Sequence, residues 1–391
     1  MPEAYIVEAI RTAGGRRNGA LSGIHPADLA AVVLDALVAR TGIDPAAIED
    51  VIMGCVGQGG EQSTQVGRNA VLASTLPDTV PAVTIDRQCG SSQQAIQFAA
   101  QAVLSGTQDM VIAAGVESMS RVPMGSTVSL YAQAGIGTGP WSEAAKRRYG
   151  VSSFDQFTGA QMIADSYGIT RDAADAFALT SHRKGAAAVA AGAFDREIVP
   201  VRITRPDGST ALHVADEGLR PDASLEGLGG LKTVMDGSII TAGNASQICD
   251  GASGVLIVNA RALKAHGLTP IARIDNLTVT AGDPVVMLAE PITATRTALE
   301  RAGRSIGEID LYEVNEAFAP IPLAWLQMLE ADPERLNVHG GAIALGHPLG
   351  ASGAKLMATL IHALGRTGKR FGLQTMCEGG GIANVTIIER L

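Results

Sequence analysis

The chain repeats one unit twice. In the first copy, residues 28–37 read as an amphipathic helix, Thr41-Gly42 stops it, and residues 48–53 read as a short strand. In the second copy, residues 293–299 are the helix, Ala302-Gly303 the stop and residues 308–312 the strand. Each strand opens on an aspartate, Asp50 or Asp310. Cys89 lies 39 residues past Asp50, and His347 lies 37 past Asp310. Beyond Cys89 come a helix and the strand 110–114. Beyond His347 come the helix 353–364 and the strand 371–376. Such a duplication predicts an α/β fold, with mostly parallel sheets covered by helices on both faces. Reactive residues in such folds gather at the carboxyl ends of strands, where Cys89, Asn315 and Cys377 all fall.

The stretch Asp86-Arg87-Gln88-Cys89-Gly90-Ser91-Ser92 is the one around which the first copy is arranged. Residues 80–85 are β-branched and apolar and read as a buried strand. Residues 95–104 read as a helix closed by Ser105-Gly106. Cys89 therefore sits on a strand-to-helix turn. Unpaired N–H groups and the dipole at a helix start favour an anion, so a thiol there is expected to ionise more easily. Taken alone, a single cysteine reads more often as inert packing.

At 391 residues the chain is too long for one small core, and two or three packed units are expected. Hydrophobic residues make up 46% and charged ones 18%, which supplies a large interior and argues against disorder. Aromatics are only 4%, too few for a base-stacking platform, and the net charge of -9 opposes nucleic acid and anionic membrane surfaces. An anionic small ligand gripped by local Arg and Lys remains compatible. No apolar run reaches the length of a membrane span. The start, Met1-Pro2-Glu3-Ala4, does not read as a signal peptide and the C-terminus is not an address, so a cytoplasmic protein is expected. Cys55, Cys89, Cys249 and Cys377 are far apart with no C-x-x-C pair, so neither a zinc site nor a disulfide framework is expected.

Between the two copies the composition shifts, over residues 119–249. Residues 130–141 are Gly-rich and loop-like, 143–150 are charged, 171–191 read as a helix pair begun at Thr170, and 205–230 are loop-rich. A long excursion of this kind reads as a lid or binding platform, with a dimer-forming arm as the alternative. The division expected is 1–118 completed by about 250–268, the insertion 119–249, and 269–391.

Four motifs are each expected at a strand end. They are Arg87-Gln88-Cys89-Gly90-Ser91, Glu313-Val314-Asn315-Glu316-Ala317-Phe318-Ala319, the run from Asn337 through Gly346-His347-Pro348 to Lys355, and Met376-Cys377-Glu378-Gly379-Gly380-Gly381. A cysteine nucleophile needs a base, and imidazole is matched to that task at neutral pH. Gly-rich turns offer N–H groups to an oxyanion. Each motif alone has an ordinary reading: a satisfied buried histidine, a tight turn.

Together the four motifs, with Met119-Ser120 and Thr241-Ala242-Gly243-Asn244-Ala245-Ser246, resemble the thiolase family (acetyl-CoA acyltransferases) over essentially the full length. Within it the likeness is to actinobacterial members of lipid and steroid breakdown. The resemblance implies the thiolase fold, two stacked αβαβα halves in five layers, and a homodimer or homotetramer. It implies Cys89 as the acylated nucleophile and His347 as its base and part of an oxyanion hole. It implies Cys377 as the acid/base at the substrate α-carbon and Asn315 as holder of a water in the first oxyanion hole. The N–H groups of Cys89 and Gly379 would form the second hole, and Arg220 and Ser246 would contact coenzyme A. Coenzyme A would be a co-substrate, with no metal or redox cofactor.

The chemistry agrees with that implication. Cleaving a 3-ketoacyl thioester between Cα and Cβ needs a soft nucleophile, a stabilised enolate and a proton donor. An acyl-enzyme implies ping-pong kinetics. Three departures stand out. Phe157-Thr158-Gly159 replaces the His-Met-Gly of small-substrate members, which points away from acetoacetyl-CoA. Glu378 replaces an apolar residue, and a carboxylate there would raise the thiol pKa. His339 replaces an Asn and reads as an exposed loop histidine. Cys377 in the last motif argues against a decarboxylating condensing enzyme, which uses two histidines. A non-catalytic acyl-CoA-binding relative would be expected to lose a motif, and none is lost. No G-x-S-x-G elbow supports a serine hydrolase.

Overall fold

The repeat is visible in the packing of its strands. The computed structural model describes residues 2–391. In the strand Asp50–Gly54, Val51 and Met53 face one way, into a core with the helices Pro26–Thr41 and Val66–Ala73. Ile52, between them, faces the other way, toward Ile96 and Ala99 of the helix Ser91–Ser105. This is the period of two that a sheet buried on both faces requires.

Three apolar cores alternate with two sheets to make the five layers. The first core joins the outer helices of the N-terminal half to their sheet. The second holds Ser91–Ser105 and Ser352–Thr367 together in the middle, against Val111 and Val255 of one half and Leu311 and Ile388 of the other. The third joins the helices Glu290–Ala302 and Pro320–Leu329 to the C-terminal sheet around Trp325. Small residues line the crossing of the two central helices: Ala95 and Ala99 on one, Ala354 and Ala358 on the other. Their N-terminal turns approach so closely that a Cβ on Gly353 would lie 2.1 Å from the Gln93 nitrogen.

The N-terminal sheet runs Ala82–Ile85, Asp50–Gly54, Met110–Ser118, Cys249–Val258, Tyr5–Thr12. The first three are parallel and the rest antiparallel. The C-terminal sheet runs Leu311–Val314, Phe371–Glu378, Ile382–Arg390, Ala272–Ala281, of which only the first pair is parallel. The sheets are therefore mixed, not mostly parallel: the closing strands of each half return antiparallel through short connections or from the insertion. The second copy has shed one strand. The counterpart of Ala82–Ile85 is a single parallel bridge between Tyr312 and Leu336. The halves also share an edge, where Tyr5 and Ile6 pair with Arg273 and Ala272.

Three local expectations are corrected. The strand before Cys89 is not buried: Ala82–Ile85 is the edge strand, and Val83 is 40% exposed. The helix after it begins at Ser91, four residues early, because Ser91 and Ser92 are both buried at its first turn. Residues 171–191 are not a helix pair but one helix, Arg171–Ala190, begun by the Thr170 hydroxyl accepting from the Ala173 N–H. Gly185 does not break it, because its open side packs on Leu219 and Leu345.

The insertion leaves and re-enters through two neighbouring antiparallel strands, Met110–Ser118 and Cys249–Val258. The stretch read as loop contains the helices Ser126–Gln133 and Leu225–Gly229 and the hairpin Val201–Thr204 with Thr210–His213. The charged stretch forms the helix Glu143–Tyr149. Among the described residues no helix is long and apolar enough to cross a membrane.

Candidate active site

The turn at Cys89 is held in an uncommon backbone shape. Gln88 has φ 50, in the left-handed region where a non-glycine residue costs on the order of 1–3 kcal/mol. The Asp86 carboxylate accepts from the Gln88 N–H at 2.6 Å. The Ser91 hydroxyl accepts from the Arg87 N–H at 2.9 Å and donates to the Gln88 carbonyl at 2.6 Å. These bonds fix the strained residue and present half-buried Cys89 at the start of Ser91–Ser105.

The expected ease of ionisation is not met. Burial pushes the Cys89 thiol well above its ordinary value, and ionisation of Cys377 or Glu378 would push it further. The helix start does not offset removal from water. A neutral thiol needs a base.

The imidazole in this region is His347. It does not follow a strand, as expected, but lies in a loop after the short helix Ala342–Leu345, because the strand of this copy has been reduced to a bridge. Its Nδ1 is 2.5 Å from the Ser352 hydroxyl oxygen. That hydroxyl gives its one proton to the Pro348 carbonyl, at 2.8 Å. Ser352 therefore accepts from Nδ1–H, and Nε2 is left bare. Burial, then Lys355, lower the imidazole pKa to about 3. The ring is neutral at neutral pH, with its basic nitrogen toward the Asn315 amide nitrogen at 3.5 Å. The Lys355 ammonium donates to the carbonyls of Leu345 and Gly346, at 2.5 and 3.1 Å, and so fastens the loop just before His347.

Asn315 follows the strand Leu311–Val314, and Cys377 is the second-last residue of Phe371–Glu378. The Asn315 amide nitrogen points at the Cys377 sulfur, 4.0 Å away, and its Oδ1 is buried with no partner among the described residues. Burial pushes the Cys377 thiol up to about 12, so it too is neutral and can give a proton. The N–H groups of Cys89 and Gly379 donate to no protein acceptor among the described residues. Gly379 lies directly against the Gln88 side chain, where a Cβ would be 2.9 Å from Oε1.

Asn315, His347 and Cys377 thus meet directly, and Cys89 is close enough to Cys377 for an ionised Cys377 to raise its pKa. Arg220 and Ser246 make no side-chain hydrogen bond to this group, although Gln247, next to Ser246, accepts from the His347 N–H at 3.1 Å. Arg220 is exposed and its N–H donates to His182 Nδ1 at 3.2 Å. Ser246 is half-buried, and its N–H donates to the Ala317 carbonyl at 2.9 Å, two residues beyond Asn315. His339 is half-buried, not exposed, because its ring packs edge-on against Phe194 at 5.8 Å.

The sequence reading gave no role to Ser352, Lys355 or Glu117. The first two lie inside the third motif, and a serine five residues after a histidine at a helix start was the available signal. Glu117 had none. It accepts from the N–H groups of Val56, Gly57 and Gly350 and from the Gln62 side chain, each at 2.9 Å, so its partners come from separate segments. It ties the loop after His347 to the N-terminal half.

A duplicated α/β molecule whose halves bring a cysteine, a neutral imidazole and a second thiol to their junction is built for acyl transfer. The chain belongs to the thiolase family: the models for the thiolase N-terminal and C-terminal domains match residues 4–261 and 268–390. It is accordingly an acyltransferase. It is 51% identical to the steroid 3-ketoacyl-CoA thiolase FadA6 of Mycobacterium tuberculosis, over 100% of this chain and 95% of that one. It is 43% identical to the beta-ketoadipyl-CoA thiolase of Pseudomonas putida, over 100% of both. Among solved structures, the Bacillus anthracis acetyl-CoA acetyltransferase is similar with a TM-score of 0.91 and 36% identity, over 100% of this chain and 99% of that one.

Proposed function

We propose that this thiolase cleaves 3-ketoacyl-CoA esters through an acyl-enzyme on Cys89. His347 Nε2 takes the Cys89 proton, and the thiolate attacks the ketone carbon. The bond between Cα and Cβ breaks, and Cys377 protonates the departing thioester enolate. Cys377 then takes the proton of coenzyme A, whose thiolate attacks the acyl group; Cys89 leaves as a thiolate and recovers its proton from His347. The N–H groups of Cys89 and Gly379 receive one oxyanion. His347 and a water held by Asn315 receive the other. Arg220 and Ser246 contact coenzyme A in the insertion, taken as residues 119–249 between the halves 1–118 (completed by 250–268) and 269–391. The protein works in the cytoplasm as a homodimer or homotetramer, a reading supported by the exposed edge strand Ala82–Ile85.

The observation that carries the proposal is the bare Nε2 of a neutral His347, held in that state by Ser352. Two neutral thiols with such a base between the halves suit two successive proton transfers. The test is incubation with an acyl-CoA, then peptide mass spectrometry. The acyl group is expected on Cys89. Labelling confined to Cys377 or Cys249 would refute the assignment.

The proposed substrates are bulky or medium-to-long 3-ketoacyl-CoA esters of fatty-acid or steroid breakdown. The steroid activity named for the 51%-identical relative supports this. So does Phe157-Thr158 in place of the His-Met pair of small-substrate members; the Phe157 ring packs edge-on against Phe318, 5.3 Å away. Each extra buried methylene is worth about 0.8 kcal/mol, roughly fourfold in kcat/KM. An eight-carbon ester is therefore expected to outpace acetoacetyl-CoA in kcat/KM. Preference for the four-carbon ester would make the protein an acetoacetyl-CoA thiolase.

A further inference from the structure

Glu378 is the residue after Cys377, and nothing in the reaction above uses it. Its side chain turns to the opposite face of the strand from the Cys377 thiol. It is 0% exposed, and neither carboxyl oxygen meets a donor among the described residues. The carboxyl instead lies against Gly90, the residue after Cys89. A Cβ on Gly90 would be 1.9 Å from Glu378 Oε1 and 3.1 Å from Asn384 Oδ1.

Asn384 lies on the adjacent strand Ile382–Arg390 and shares that face. Its Nδ2 donates to the Gly90 carbonyl at 3.4 Å. Its Oδ1 is left as a second buried acceptor without a partner among the described residues. Two acceptors that crowd the same Cα and have no donor between them call for a proton.

We propose that Glu378 is a neutral carboxylic acid whose proton is given to Asn384 Oδ1, and that this pair positions the Cys89–Gly90 turn. Burial supports the neutral form, holding the carboxyl well above the usual range. The ionisable groups facing it are Arg87 and Asp86 on the turn, Cys89 beside Gly90, and Cys377 on its own strand. A negative charge at Glu378 would oppose every anion the reaction forms. A neutral acid braces the turn without that charge. Glu378 is thus a positioning residue, and any side chain at position 90 would have to displace its carboxyl.

The functional half of this inference rests on Cys89 and Cys377 being the reacting thiols; the protonation state does not. In the infrared difference spectrum of wild type minus E378Q at neutral pH, a carbonyl band of a protonated carboxylic acid is expected to disappear. Loss of carboxylate bands instead would overturn the proposal, whatever the outcome of the acylation experiment. Alkylation of Cys89 by iodoacetamide, followed by peptide mapping, gives a second readout. Around neutral pH, E378Q should stay within about twofold of wild type, because one neutral group replaces another. A rise of about tenfold near neutral pH would show that a charge had been removed. In turnover, E378A should lose about tenfold in kcat/KM, and E378Q should recover most of it. Equal losses in both variants, or none in either, would overturn the positioning role. If E378A does not fold, N384A replaces it: the acid band of the folded variant should shift, and an unmoved band would sever the pair.

Discussion

At the scale of single residues, the site works by removing charge from its resting state. Burial keeps Cys89 and Cys377 protonated and His347 unprotonated. The imidazole pKa is lowered from 6.5 to about 3, so acidification to pH 5 leaves it neutral. The pH profile of kcat/KM should therefore show no inflection near 6.5 from this group. The same shift acts on stability. The unfolded chain binds the proton first, so His347's contribution is complete above pH 6.5 and is lost as the pH falls toward about 3. Orientation of the base depends on Ser352. S352A orphans the Nδ1–H donor, which costs about 1–3 kcal/mol, and kcat/KM should drop by about 5- to 100-fold with the fold intact. Steady-state kinetics with circular dichroism decides it; a change under twofold would remove Ser352 from the account.

At the scale of elements, the reactive groups sit on the N-terminal ends of two helices that cross in the middle layer. Ser91–Ser105 follows Cys89, and Ser352–Thr367 follows His347. The Ser92 hydroxyl accepts from the Ala354 N–H at 2.9 Å, and Gly353 is seated on Gln93. The separation of Cys89 and His347, the proposed nucleophile and base, is thus set by how closely these turns approach. G353A would place a methyl 2.1 Å from the Gln93 nitrogen, a backbone atom that cannot turn aside. Overpacking of this kind costs about 1–3 kcal/mol. Urea unfolding of G353A should report that loss, and kcat should fall with it because both helix ends must separate. Full activity at reduced stability would show that the crossing does not govern the site.

At the scale of the whole molecule, one buried charge cluster ties three regions together. Arg11, on the first strand, is bound to Glu197 at 2.6 Å and to Asp216 at 2.8 Å, both from the insertion. Glu197 also accepts from Thr359 of the central helix Ser352–Thr367. Burial alone would raise the Asp216 pKa, but Arg11 and then Lys355 outweigh it and hold it below the usual carboxylate value of 3.8. That contribution is present above pH 3.8 and lost as the pH falls through and below it. R11A leaves buried Glu197 without a cation and Asp216 with Lys355 alone, at a cost of about 3–5 kcal/mol near neutral pH. Equilibrium unfolding of R11A should show this deficit at pH 7 and a smaller one near pH 4, where the orphaned carboxyls can take protons. A deficit that does not change with pH would mean that packing, not charge, was lost.

Legible in the order of residues alone were the duplication, the α/β class and the four side chains proposed to react. Those follow from local order: a helix, a glycine stop and a strand recur at nearly equal spacing, and Cys89, Asn315, His347 and Cys377 stand in motifs whose chemistry is carried by residue type. Tertiary structure alone decided what those side chains are. The turn at Cys89 promised a reactive thiol, but burial is a property of all five layers at once, and it made the thiol neutral. The strand before Cys89 was apolar enough to be internal, yet it lies at an edge, because strand order is set by pairing and not by composition. The tautomer of His347 rests on a hydroxyl five residues away and on the carbonyl that hydroxyl chooses. Glu117 and Arg11 gather partners from segments far apart in the chain, and Glu378 meets Gly90 only because two halves of the chain fold onto one another. Contacts of that kind leave no period or motif in the sequence, since each is fixed by the three-dimensional path of the backbone.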